Sequence, residues 1–70
     1  MLYRLDRNTQ AGMIPVTDLI GPVLIRRYAT ALSLARQEAA KDPDGCVHIT
    51  RVHPHLKQVA IVYPDGKVTR

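Results

Sequence analysis

The chain has 70 residues, 46% of them apolar, with ten Lys and Arg against six Asp and Glu, a formal net charge of +4 and a pI near 9.7. This describes one small domain spanning residues 1–70, because stable units rarely split below about 100 residues. The apolar fraction excludes a disordered chain. With three Tyr, no Phe and no Trp, the core must come from Val, Ile, Leu and Ala, and so thin a core leaves little room for a substrate cavity of about 300 Å³ or more.

Cys46 is the only cysteine, so no intramolecular disulfide forms, and a reducing cytoplasm is the expected compartment. Charged Arg4, Asp6 and Arg7 interrupt the N-terminus where a secretory leader would need an apolar stretch. The longest apolar run, residues 19–25, is broken by Gly21 and Pro22. It falls short of the roughly 20 residues a membrane span needs.

Residues 2–7 alternate, with Leu2, Arg4 and Asp6 on one side and Tyr3, Leu5 and Arg7 on the other. The pattern predicts a half-buried strand, and its charges suggest an edge position. Residues 8–12 are turn-like. Residues 13–21 are expected to be irregular, punctuated by Pro15, Asp18 and Gly21. Residues 22–28 fit either a strand or the start of a longer helix with Pro22 in its first turn. The strand is preferred, because Thr30 is a good N-cap for a helix starting afresh.

Residues 31–41 carry the clearest helix signal, being rich in Ala, Leu, Arg, Gln and Glu. Ala31, Leu32, Ala35 and Ala39 fall on one arc. Asp42-Pro43-Asp44-Gly45 should stop the helix, since the residue before a proline is pushed out of helical geometry. Residues 46–52 and 58–63 are predicted strands. Pro64-Asp65-Gly66 forms a turn in which proline presets φ and glycine supplies a positive φ, leading into a short last strand at residues 67–70. The expected fold is α+β: a twisted antiparallel sheet with one helix on one face, in the order β-β-α-β-β-β.

Cys46, His48, His53 and His55 are metal-ligand residue types. Cys46 and His48 share a strand face about 6.6 Å apart. The spacing C-x-H-x4-H-x-H matches no zinc pattern, so no metal and no cofactor is assigned. Nucleophilic catalysis by Cys46 needs a base and an orienting group. His48, next but one on the same strand, rarely offers attack geometry, and no carboxylate is evidently aimed at it. The glycines sit in turns rather than in a phosphate-binding loop. No catalytic residue is assigned, and the chain is expected not to be an enzyme.

What remains is binding. Arg26, Arg27, Tyr28, Arg51, Lys57 and Lys67 are the candidate partner-binding residues, with Arg26-Arg27-Tyr28 the densest group. A chain of 7.8 kDa exposes roughly 4,400 Å² by the usual scaling, so one standard interface would occupy nearly a fifth of it. The expected role is a protein-binding inhibitor or adaptor acting on a larger protein or ribonucleoprotein complex, with no membrane partner. The alternative is a small basic nucleic-acid-binding domain using phosphate contacts.

The segment Tyr28-Ala29-Thr30-Ala31-Leu32-Ser33-Leu34-Ala35-Arg36, followed by residues 46–51, residues 59–62 and Pro64-Asp65-Gly66-Lys67, resembles small phage-encoded anti-CRISPR proteins in length and element order. The resemblance covers about residues 23 to 69 and carries no diagnostic motif. It implies a non-enzymatic inhibitor, active in the host cytoplasm, that docks on a CRISPR surveillance complex and blocks DNA access.

Overall fold

The computed structural model describes residues 1–9, 12–17, 24–41 and 45–70. Strands β1 (Leu2–Thr9), β2 (Gly12–Pro15) and β3 (Leu24–Ile25) precede helix α1 (Tyr28–Ala39), and β4 (Cys46–His53), β5 (Lys57–Val62) and β6 (Val68–Thr69) follow it. All pairings are antiparallel, in the order β2-β1-β4-β5-β6, with β3 also on β1. This is the expected α+β layout, with a strand added and one strand moved.

The moved strand is β1. Its charges suggested an edge, yet it lies at the centre. Strand β4 takes one side of it, while β2 (against residues 6–9) and β3 (against Tyr3 and Arg4) share the other. The physical reason is mutual neutralisation: Arg4 Nε donates to Asp6 Oδ2 at 3.1 Å, and Asp6 is only 5% exposed. The added strand is β2, within the stretch expected to be irregular. Gly12, at φ +113°, lets the chain reverse, and the Thr9 hydroxyl donates to the Gly12 carbonyl at 2.9 Å. Pro15 is tolerated because β2 is an edge strand. Strands β3 and β4 flank β1, both antiparallel to it, so they run parallel to each other and α1 bridges them.

Helix α1 begins three residues before the expected start. Arg27, not Thr30, is the N-cap residue, and its carbonyl accepts from the Ala31 amide at 3.0 Å. Tertiary packing overrides the better cap. Tyr28, drawn into the first turn, meets Tyr3 edge-on with ring centroids 5.7 Å apart. Arg26, Arg27 and Tyr28 are therefore a bend, a cap and a first helical residue, and among the described residues the preferred strand survives at Leu24–Ile25. Pro22 and the stop signal at residues 42–44 lie outside the described residues.

The core comprises Tyr3, Leu5, Ile25, Val47, Ile49, Ala60 and Val62 from the sheet, with Ala31, Ala35 and Ala39 from α1. The three alanines recur every four residues and so line one face of the helix. Leu32, expected on the same arc, is half-buried at its margin. The β5–β6 hairpin closes as predicted. Gly66 sits at φ +91°, its amide donates to the Tyr63 carbonyl at 2.9 Å, and Asp65 Oδ1 accepts from the Lys67 amide at 2.9 Å.

Two irregularities break the ladder. Val52 is extra between β4 and β1, and Val59 is extra between β5 and β4. The second reverses the side-chain alternation of β5, so Gln58 joins Ile61 on the face turned away from α1. Strand β6 pairs only Ile61 and Val62, leaving the outer edge of β5 over residues 57–60 without a neighbour among the described residues.

Two stability measurements follow. Ala35, with no exposed surface, faces the sheet at the centre of the helix contact, and Ala35→Leu should lower unfolding free energy in urea by about 1–3 kcal/mol through overpacking. Gly66→Ala meets no atom within 4 Å, so its loss of about 1–2 kcal/mol would be purely backbone strain. An unchanged urea midpoint contradicts the close helix–sheet contact in the first variant and the positive φ at Gly66 in the second.

Candidate functional site

The antiparallel order gathers six element ends at one end of the molecule. Five of them are the starts of β1, α1 and β5 and the finishes of β3 and β4, and the sixth, β6, runs toward them from its pairing at Ile61. Adjacent pairings trace the surface there. Lys57 lies opposite Arg51, and Arg51 lies opposite Tyr3. Tyr3 packs on Tyr28, and the Arg70 guanidinium stands 5.6 Å from the Tyr28 ring centroid. Arg27 caps the helix, and Arg26 precedes it at the end of β3.

Of the six expected binding residues, the structure brings together Arg26, Arg27, Tyr28, Arg51 and Lys57. Lys67 lies at the opposite end, beside the Pro64-Asp65-Gly66 turn. Arg70 belongs to the group and was not anticipated from sequence. Its place follows from the register of β6, which points the residue after Thr69 back toward the start of β5.

This end is electropositive for three reasons. Arg26, Arg27, Lys57 and Arg70 are exposed and Arg51 is half-buried. No described carboxylate side chain lies here: Asp6 is held by Arg4, Glu38 pairs with Lys41 at 3.0 Å in the last turns of α1, and Asp65 occupies the far hairpin. The partial positive charge of the helix N-terminus adds to the field.

That arrangement carries a local cost. No acidic residue lies in the first turn of α1, and Arg27 supplies no side-chain cap. A good cap is worth about 1 kcal/mol, and a cation at the positive end of the helix dipole costs about 0.3–1 kcal/mol. Breaches of local helix rules concentrate where function requires them.

Exposed apolar side chains share this end. Met1 is 65%, Leu24 56% and Leu56 72% exposed. Met1 precedes β1, Leu24 pairs with Arg4 beside Tyr3, and Leu56 lies in the β4–β5 connection. The aromatic rings here are already engaged. Tyr3 is 9% exposed and its hydroxyl donates to Met1 Sδ at 3.5 Å, while the Tyr28 hydroxyl is buried without a partner among the described residues. Neither offers a free ring face for base stacking, and Tyr63 lies on the other end of β5.

The metal-ligand types divide between the two ends of β4. Cys46 and His48 touch, with Sγ 3.6 Å from Nε2, whereas His53 ends the strand and His55 lies beyond it. No group of three or more His, Cys, Asp or Glu converges among the described residues. A surface hollow lined by Tyr63, Pro64, Asp65, Lys67 and Thr69 lies beside the far hairpin, remote from the basic end. No helix among the described residues is long and apolar enough to cross a membrane. Comparison with family models, with curated proteins and with solved structures finds no match.

The unfavourable cap gives a direct test. Arg27→Asp replaces a cation with a capping carboxylate at the helix N-terminus, and should raise unfolding free energy by about 1 kcal/mol in urea titration. A destabilised variant would mean that the Arg27 side chain contributes more to folding than the helix end gains.

Proposed function

We propose that the protein is a non-enzymatic inhibitor or adaptor that docks its basic end on an acidic, partly apolar surface of a larger protein or ribonucleoprotein complex. The carrying observation is co-location: five cations, with no described carboxylate side chain among them, share one end of the molecule with exposed Met1, Leu24 and Leu56. Arg and Met are enriched at protein interfaces, and buried Arg side chains are frequent energetic anchors there. Arg70 is partly preordered by its contact with Tyr28, which lowers the entropy cost of docking. The accessible surface is 4,806 Å², so a standard interface of about 800 Å² per partner would cover roughly a sixth of it. A phage anti-CRISPR protein that covers the DNA entry of a surveillance complex would be one member of this class, and the sequence resemblance supports it.

Direct nucleic-acid binding is the second reading, favoured by the same five cations. Single-strand binding draws much of its energy from aromatic stacking, and the rings at this end are occupied. The apolar residues add nothing to a phosphate contact. Binding here would therefore be duplex-directed and governed by phosphates.

The two separate experimentally. A bacterial lysate passed over the immobilised protein should yield a large partner at fixed ratio. Arg51→Glu with Arg70→Glu should weaken that capture at least about tenfold, in line with loss of an interface hot spot, while Arg36→Glu on the exposed side of α1 leaves it intact. Capture that is indifferent to the double reversal overturns the proposal. So does a protein that captures nothing yet retards duplex DNA at about 50 mM salt and releases it by about 200 mM.

A further inference from the structure

The face of the sheet turned away from α1 carries a second constellation, independent of the basic end. Cys46 and His48 project from the start of β4 on this face, since Val47 and Ile49 between and beyond them are buried against the helix. Sγ of Cys46 lies 3.6 Å from Nε2 of His48. On the other side of the ring, Nδ1 of His48 lies 2.6 Å from Oε1 of Gln58. An amide oxygen only accepts, so Nδ1 carries the ring proton and Nε2 presents its lone pair to the thiol. Gln58 reaches this face because of the extra residue Val59, which shifts its side chain over from the helix side.

The surroundings suit a transient imidazolium. Across the ladder, β1 places Asp6 opposite His48 and Asn8 opposite Cys46, while β5 places Ile61 opposite His48. Asp6 is 5% exposed and already paired with Arg4, so the strand adjoining the ring carries an ion pair with no uncompensated cation to oppose an imidazolium. Cys46 and His48 are half-buried and Gln58 is exposed, so a small reagent can reach the sulfur. A nucleophile touching a base, with the base oriented by a third group, is the arrangement that activates thiols.

We propose that Cys46 is a thiol–disulfide exchange site, activated by His48 and positioned by Gln58, at which the protein is reversibly S-thiolated by small soluble disulfides such as oxidised glutathione. His48 Nε2 takes the proton from Sγ as the sulfur attacks one sulfur of the disulfide. The S–S bond breaks and its electron pair leaves on the other sulfur, which recovers the proton from His48. The products are a mixed disulfide on Cys46 and one free thiol, and an excess of thiol reverses the step.

The test is the rate at which the folded protein gains one glutathionyl group from oxidised glutathione at neutral pH, followed by intact mass. The folded chain should react at least about tenfold faster than the same chain unfolded in urea, a floor set below the roughly 10²–10⁴-fold that general-base assistance typically supplies. His48→Ala, and His48→Asn as a second variant checked for native circular dichroism, should fall to the unfolded rate. Gln58→Leu should lose several-fold without change in the urea midpoint, and Gln58→Glu, which retains an acceptor oxygen, should restore most of it. A folded protein that reacts no faster than the unfolded chain, or folded His48 variants that keep the wild-type rate, overturns the proposal.

Discussion

The fold depends on the contact between an alanine-faced helix and the sheet formed by β1, β4 and β5. Ala31, Ala35 and Ala39 are almost fully buried against a sheet surface built from Leu5, Val47, Ile49 and Val62, each at most 1% exposed. Small side chains bring the helix backbone close to the strands, and larger aliphatic residues fill the layer from the other side. With neither Phe nor Trp in the chain, density comes from proximity rather than from bulk. A 70-residue domain buries only about 60% of the surface its unfolded chain exposes, so this single contact carries a large share of its stability. It also fixes where α1 begins and hence where the arginines around its N-terminus stand.

Much of the architecture was legible in the sequence. The helix, β4, β5 and the Pro64-Asp65-Gly66 turn each carry a strong local signal: good helix formers, β-branched runs and turn residues in their proper places. What stayed hidden depends on partners distant in the chain. The charges of β1 suggested an edge because Arg4 and Asp6 look solvated when counted singly, and their mutual pairing is what permits a central position. Strand β2 was invisible because Gly12 and Pro15 both argue against a strand, and only its edge position makes them acceptable. The early start of α1 rests on Tyr3 meeting Tyr28, which no local propensity can report.

The proposed binding surface shows the same division. Arg26, Arg27, Tyr28, Arg51 and Lys57 were recognisable as a basic, aromatic-containing set, but scattered residues become a surface only through register. Register also excludes Lys67 and includes Arg70. On the other face, a period of two predicts that Cys46 and His48 are neighbours. The third member, Gln58, arrives through the irregularity at Val59, and a regular β5 would have sent it to the helix side. One inserted residue thus joins a thiol, an imidazole and an amide into a chain of contacts.

The brevity of β6 has a consequence for how this molecule meets copies of itself. Pairing stops at Ile61, so among the described residues the outward main-chain polar groups of β5 over residues 57–60 have no strand beside them. A bare, flat border of that kind invites end-on stacking of sheets into fibres. Here it is roughened twice: the irregular twist at Val59 spoils flatness, and the ammonium of Lys57 would have to be stripped of water to let another chain lie alongside. The same irregularity that brings Gln58 to His48 therefore makes this border a poorer template for edge pairing.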